Sequence, residues 1–352
     1  ACGLARLVCA GWRSPWQGNN PGVGIIGGAR LGMMLAALFV APFAAWAVVR
    51  LSGLERGWPL VPLMAFTPYA GAASALPLIT AVALRCWPVA VVAALTTLAL
   101  AWCVLPRAIG RADPGSDRPR LRVLTNNLLW GTADPDEVLA LVRRHHVDLL
   151  ALQEYTPAAE KALHSAGMAE LLQYRVTHPL DEPGGSALYS RFPLTDHGYR
   201  ALPPNFGQSR ATLRVPGAGD VLVESVHPAS PSTAGWLRHW RTGLSAQPPA
   251  MRDGPVRILL GDFNATLDHA PLRRLLRTGY RCAAGSVGAG LAGTWPYDGT
   301  RLPRVAIDHV LVDRRVAVHA VSVHRVTGTD HRAVLAELGL PTSGPPGATG
   351  RT

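Results

Sequence analysis

Three stretches near the start of the chain lack charge for about the length of a bilayer crossing, and the rest breaks into short apolar runs separated by polar residues. Leu31 to Val49 holds nineteen uncharged residues between Arg30 and Arg50, and a helix needs about 20 to cross a hydrocarbon core. Gly57 to Leu84 is uncharged but interrupted by Pro59, Pro62, Pro68 and Pro77, and Cys86 to Pro106 is uncharged again. The pattern predicts transmembrane helices over residues 31–49, 59–84 and 87–106, the second kinked by proline and the last two joined in a tight hairpin at Arg85. Trp46, Trp58, Trp87 and Trp102 fall near the expected ends, where indole favours the membrane interface. A buried helical bundle is the alternative, against which stand the span lengths and the lack of a polar face.

Residues 1–30, rich in Gly, Asn, Pro and Arg, read as a loosely ordered tail, 107–120 as a polar linker, and 341–352 as a second tail. A separate domain is expected over 121–340. Strands are predicted at Leu121 to Leu128, Val147 to Leu152, Ala187 to Ser190, Ala211 to Val215, Val221 to Val226, Val256 to Leu260, Val305 to Val312 and Ala333 to Leu338. Helices are predicted at Asp134 to His145, Thr233 to Ser245 and Ala270 to Arg277. The two kinds mix without strict alternation, so an α/β sandwich of two sheets covered by helices fits better than a doubly wound sheet.

The formal charge of +11 invites a nucleic-acid partner, and its distribution argues otherwise. Residues 1–120 carry ten Arg against three acids, whereas 121–352 carry 24 Lys plus Arg against 20 acids. Most of the excess therefore flanks the apolar stretches, where basic residues serve topology. Three crossings put the two ends of the chain on opposite sides, but the flanking arginines are too evenly divided to say which side holds the domain. Arg273, Arg274, Arg277 and Arg281 offer a basic cluster, or simply a solvated helix face. The five cysteines show neither a disulfide framework nor zinc spacing.

The candidate chemistry gathers at strand ends. Ile258 to Thr266 reads Ile-Leu-Leu-Gly-Asp-Phe-Asn-Ala-Thr. In an extended chain Asp262 and Asn264 would project from the same face, a carboxylate to take a proton from water and an amide to donate to the group attacked. A simple turn after a core strand is the competing reading. Asn127, Glu154 and His227 each close an apolar run, and Asp330 and His331 stand just before the last one. Asp308 lies inside an apolar run, where a carboxylate needs a partner. Taken singly, most of these have duller explanations as turn or capping residues. Trp236 and Trp240, four apart, could line a substrate entrance or staple their helix to the core.

Taken in order, Thr-Asn-Asn (125–127), Leu-Gln-Glu (152–154), Ser-Ala-Leu-Tyr-Ser-Arg (186–191), Val-His-Pro (226–228), Gly-Asp-Phe-Asn (261–264), Ile-Asp-His (307–309) and Thr-Asp-His (329–331) resemble the endonuclease/exonuclease/phosphatase superfamily. The resemblance covers 121–338 and implies a four-layered, DNase-like α/β sandwich behind the three-helix transmembrane region. It implies a metal-dependent phosphoesterase in which Glu154, assisted by Asn127, holds Mg²⁺ or Mn²⁺, ions suited to hard oxygen donors. Asp262 would deprotonate the attacking water and Asn264 hold a phosphate oxygen. His331, its ring fixed by Asp308, would contact the phosphate, Asp330 would bind metal or steer His331, and His227 would serve the transition state or leaving oxygen. The three spans and Gly293 to Pro296 are similar to bacterial membrane phosphatases associated with teicoplanin and vancomycin resistance. That similarity implies a partner in the lipid bilayer, an extracytoplasmic site, and a phosphorylated lipid such as undecaprenyl diphosphate as substrate. A membrane-tethered nuclease and an inactive scaffold are the competing readings.

Overall fold

The computed structural model describes residues 21–114, 117–297 and 299–342, with side chains from residue 30 onward. The expected tails at 1–20 and 343–352 lie outside the described residues. Helix α1 (Pro21–Ser52) starts ten residues before the expected span, so 21–30 is helix rather than tail. Pro21 stands at its first position, where a missing N–H costs nothing. The second apolar stretch is fragmented into α2 (Leu60–Leu63), a 3₁₀ turn (Met64–Phe66), α3 (Thr67–Ala73) and α4 (Ala75–Ala83). Its internal prolines remove donors from the helical ladder, and Pro68 opens α3. Arg85, left-handed at φ 55°, turns the chain into α5 (Trp87–Val104). Three helical segments, Arg30–Ser52, Leu60–Ala83 and Trp87–Arg107, have mean hydropathies of 2.1, 1.3 and 2.2, long and apolar enough to cross a membrane. Ala36, Val40, Ala81, Ala90 and Ala93 bury a thin seam between them, while Leu38, Leu95 and Leu98 face outward.

Beyond these helices lie two six-stranded sheets. The first runs β11-β12-β1-β2-β4-β3, made of β1 (Arg120–Asn127), β2 (Leu149–Gln153), β3 (Tyr174–His178), β4 (Ser186–Ser190), β11 (Ala317–His324) and β12 (Ala333–Gly339). The second runs β5-β6-β7-β8-β10-β9, made of β5 (Leu194–Leu202), β6 (Phe206–Arg214), β7 (Asp220–Val226), β8 (Val256–Asp262), β9 (Tyr280–Cys282) and β10 (Asp308–Asp313). Leu121, Val123 and Leu149 meet Val223, Ile258 and Val310 between the sheets. The alternate residues Leu124 and Leu150 face outward onto α6 (Pro135–Arg144), α7 (Pro157–Ser165) and α8 (Met168–Leu171). On the far side, α9 (Leu237–Ser245) and α10 (Ala270–Arg277) cover Leu259 and Leu311 through Trp240 and Leu272. α11 (Ala283–Ser286) closes the edge. This is the four-layered sandwich expected, because central strands must bury both faces.

The segment expected to be a plain linker is docked. Asp113 pairs with Arg281 and accepts from Val318 N at 2.8 Å, and Gly110 passes so close to Ser286 and Gly288 that a Cβ would collide with their backbone. The helical ends are docked too, and they converge on one loop. Arg50 Nε and Arg107 Nη2 reach the two oxygens of buried Asp268 at 2.7 and 2.6 Å. Glu55 accepts from Ala270 N, and His269 Nε2 lies 3.0 Å from Val61 O. Asp268 thus ties the end of α1 and the turn after α5 to the loop that leaves β8.

Candidate active site

Parallel pairing of β1 with β2 puts Asn127 opposite Gln153, so Glu154 emerges beside it. β7 is likewise parallel to β8, with Val226 opposite Gly261, which brings His227 next to Asp262. Gly261, at φ 151°, is required there, since a Cβ would strike the Val226 carbonyl. β10 is antiparallel to β8 with Asp308 opposite Asp262. Asp308 is therefore the first residue of its strand, and the expectation that it sits mid-strand is corrected: the preceding residues form only a bridge between Trp295 and Val305. Asp330 and His331 precede β12. The sheet ends thus bring all eight candidate residues together. Glu154, His227, Asp262, Asn264, Asp330 and His331 line one cavity of about 570 Å³, with Asn127 and Asp308 bonded behind them.

Asn127 Nδ2 donates to Glu154 Oε1 at 3.0 Å and to Asp262 Oδ2 at 3.2 Å. Its oxygen accepts from Leu129 N at 3.0 Å, which leaves that oxygen a second lone pair. Trp130 N donates to Glu154 Oε2 at 2.8 Å, and Glu154 itself is left-handed at φ 54°. Asn264 is also left-handed, φ 48°, and its N–H donates to Asp262 Oδ1 at 2.7 Å. The extended geometry expected for the pair is thus replaced by a turn, which asparagine tolerates. Both side chains still line the cavity, with Asn264 Nδ2 donating to Pro228 O at 3.0 Å.

Asp308 lies 2.9 and 3.1 Å from His331 Nδ1, so the other ring nitrogen is free to face the cavity. That Nε2 stands 3.7 Å from Asp262 Oδ2 and 3.8 Å from Asp330 Oδ1. His227 Nδ1 is 3.1 Å from Pro183 O, its Nε2 3.6 Å from Asp262 and 3.8 Å from Glu154. Less visible in sequence are the groups that steer these: Thr294 Oγ1 accepts from Ile307 N and Asp308 N, Thr329 Oγ1 donates to Asn127 O and Trp295 Nε1 to Asp330 Oδ2 at 2.7 Å. Trp236 and Trp240 divide: Trp236 precedes α9 and lines the cavity, whereas Trp240 is buried and donates to Asn264 O.

Burial pushes the Asp262 carboxyl upward, and Asp308 adds to the shift, against the opposing His331 cation. Burial alone would lower His331, but Asp308 and Asp262 outweigh it and raise the ring well above its ordinary 6.5. A carboxylate that accepts protons readily thus sits beside a cation. Among the described residues, ligand atoms of Asp262, Asp308 and His331 lie within 4.8 Å of one another. Asp330 Oδ1 is buried without a hydrogen-bond partner. Three carboxyl groups, Asp262, Asp308 and Asp330, face the His331 ring and Glu154 lines the same cavity, and this oxygen-rich set fits a divalent cation.

Three other histidine shifts concern stability. Burial lowers the pKa of His227, His269 and His309, each from an ordinary value of 6.5. Their neutral forms favour the fold above pH 6.5, and this contribution is lost as pH falls from 6.5 through their folded pKa values. Because buried carboxyls such as Asp262 and Glu224 are shifted upward and act in the opposite sense over the same range, the check is site by site: the ring C–H resonances of these three histidines, followed by NMR in the folded protein, should titrate below 6.5. A ring that titrates at or above 6.5 would contradict its burial as a neutral group.

Among curated proteins none matches the chain. Solved structures match its fold. An endonuclease/exonuclease/phosphatase from Beutenbergia cavernae DSM 12333 aligns with a TM-score of 0.50 and 20% identity over 63% of this chain and 72% of that one. A functionally unknown conserved protein from Enterococcus faecalis V583 gives 0.50 and 15% over 63% and 100%. Truncated Caenorhabditis elegans TDP2 gives 0.50 and 14% over 62% and 98%. The model of the Endonuclease/Exonuclease/phosphatase family matches residues 124–331, a span that begins in β1 and ends on His331. The sandwich, its convergent strand ends and this match place the chain in the endonuclease/exonuclease/phosphatase family.

Proposed function

We propose that the protein is a membrane-anchored, divalent-metal-dependent hydrolase of a phosphate ester or diphosphate carried by a lipid. The observation that supports the lipid is the lining of the cavity. No Lys or Arg lines it among the described residues, and Pro62, Ala65 and Phe66 of the second apolar helical stretch form part of its wall. A nuclease needs cations along a phosphate backbone. The arginines considered for that purpose do not supply them here: Arg273 bonds to Asp268 O and to Arg50 O, Arg281 pairs with Asp113, and none of the four lines the cavity.

In this reading Glu154 and Asp330 hold the ion, Mg²⁺ or Mn²⁺, whose charge when bound neutralises the phosphate and polarises it towards attack. Asp262 takes a proton from water as the water oxygen bonds to phosphorus and the bond to the leaving oxygen breaks. Asn264 orients a phosphate oxygen. His331, held by Asp308, presents a protonated Nε2 to the phosphate and to the leaving oxygen. Burial keeps His227 neutral, which leaves it to fix the pocket beside Glu154 and Asp262 rather than act as the acid. An undecaprenyl diphosphate-like lipid on the outer membrane face suits this arrangement.

The full chain should be supplied with Mg²⁺ and, in parallel, vesicles containing a polyprenyl diphosphate, vesicles of phospholipid, and single- and double-stranded DNA. Phosphate release from the polyprenyl diphosphate with DNA left intact is expected. Cleavage of DNA at a comparable rate, falling steeply with salt, would favour the nuclease.

A further inference from the structure

The cavity has two chemically different halves, and only one is occupied by the reaction. Glu154, Asp262 and His331 stand on one side. On the other, Pro62, Ala65 and Phe66 come from the proline-broken second helical stretch, and Phe206, Trp236 and Leu302 face them from the sandwich. A water-soluble phosphate ester would leave these apolar groups facing solvent. Trp236 and Leu302 remain 37% and 52% exposed, so this wall is incomplete and has apolar surface still to bury. Ala65 and Val305 also line a second cavity, of about 310 Å³, whose helical wall is Pro68, Tyr69 and Ala72 on α3 and whose far side carries Arg107, Asp268 and Arg304. A path walled by apolar groups on its helical side therefore begins at the hydrolytic groups and follows a helix long and apolar enough to lie in a bilayer.

We infer that this path is a seat for the hydrocarbon chain of the substrate, with Ala65 setting how much chain it admits and Leu302 closing over the carbons next to the phosphate. The inference rests on the lipid reading given above and adds to it the residues that recognise the chain. The broken second stretch has a physical use here. An unbroken helix carries side chains on every side, whereas the 3₁₀ turn at Met64–Phe66 places small and flat residues, Ala65 and Phe66, against the site. A chain passing over Ala65 keeps its hydrocarbon in apolar surroundings while its phosphate stands among the carboxylates and His331. Of the ionic groups beyond Ala65, Arg107 and Asp268 are paired with each other and Arg304 stacks over the Tyr297 ring. Each methylene removed from water contributes about fourfold in binding until the seat is filled.

The test uses the full chain in lipid nanodiscs with Mg²⁺ and three probes: a polyprenyl diphosphate of many isoprene units, one of two units, and bis(p-nitrophenyl) phosphate. Ala65→Phe should lower kcat/KM on the long substrate by about tenfold, through KM, and leave bis(p-nitrophenyl) phosphate within about twofold. Leu302→Ala, on an exposed loop where the fold is not at risk, should lower both prenyl substrates several-fold and the soluble ester, which has only its aryl rings to offer Leu302, by a smaller factor. Wild-type preference for long over short chains, abolished by Ala65→Phe, supports the seat. If wild type hydrolyses the two lipids equally, or the variants lose activity equally on all three probes, the seat is overturned while the lipid reading stands. If wild type hydrolyses only the soluble ester, the lipid reading itself falls, and the seat with it.

Discussion

Replacing Asp262 with alanine is expected to reduce phosphate-ester hydrolysis by about 10³-fold or more without unfolding the protein. A positioned general base contributes about 10²- to 10⁴-fold, and Asp262 is also the group onto which Asn127, Asn264, His227 and His331 converge. Burial raises its pKa, so its ionised form is held at a cost that folding alone would not select. Asp262→Asn keeps an acceptor for the Asn264 N–H, and should be inactive yet melt at or above the wild-type temperature. Glu154→Ala and His331→Ala should be comparably inactive, the first with weakened Mg²⁺ binding. Steady-state hydrolysis beside thermal unfolding checks all of these, and near-normal turnover in the three alanine variants would refute the assignment.

The second large effect is expected at Asp268, which lines no wall of the cavity holding the carboxylates. Its side chain is fully buried between Arg50 and Arg107, at the ends of the first and third apolar segments. The loop it anchors begins at Phe263 and Asn264, directly after Asp262. That loop is held by the sandwich through Trp240 Nε1 on Asn264 O, Asn264 Nδ2 on Pro228 O and His309 Nε2, 2.8 Å from Ala265 O, and at Asp268 by the helical ends. Asp268→Asn leaves two guanidinium groups facing a neutral amide, and breaking a buried pair costs about 3–5 kcal/mol. We expect a lower melting temperature, and at temperatures where the variant is still folded, kcat on a small soluble ester reduced about tenfold with KM little changed. Such a split marks a misplaced loop rather than lost binding. Wild-type kcat in the folded variant would show that the helical region is only an anchor.

What was legible in the sequence followed burial. All eight strands expected from apolar runs exist, and the four that were missed, β3, β5, β9 and β11, are the four outer strands of the two sheets. An outer strand is solvated along one side and carries polar residues against edge pairing, as Thr195, Asp196, His197 and Arg200 do in β5. Helices α7 and α8 escaped for want of a long apolar period. The candidate residues were readable because carboxylates and histidines interrupt otherwise apolar runs, an arrangement that core packing does not produce. Their local geometry was not. Left-handed Glu154 and Asn264 break the alternation from which side-chain directions are inferred. The contacts of Ala65 and Phe66 with the site join residues about two hundred positions apart, which no local pattern encodes.

The most direct measurement is phosphate release from a polyprenyl diphosphate in vesicles by the full chain, stripped of metal with EDTA and then titrated with Mg²⁺. Release that is absent after stripping, returns in proportion to bound Mg²⁺ and stays absent in Asp262→Asn is the predicted result. Release that persists unchanged in EDTA, or survives in Asp262→Asn, would contradict the account.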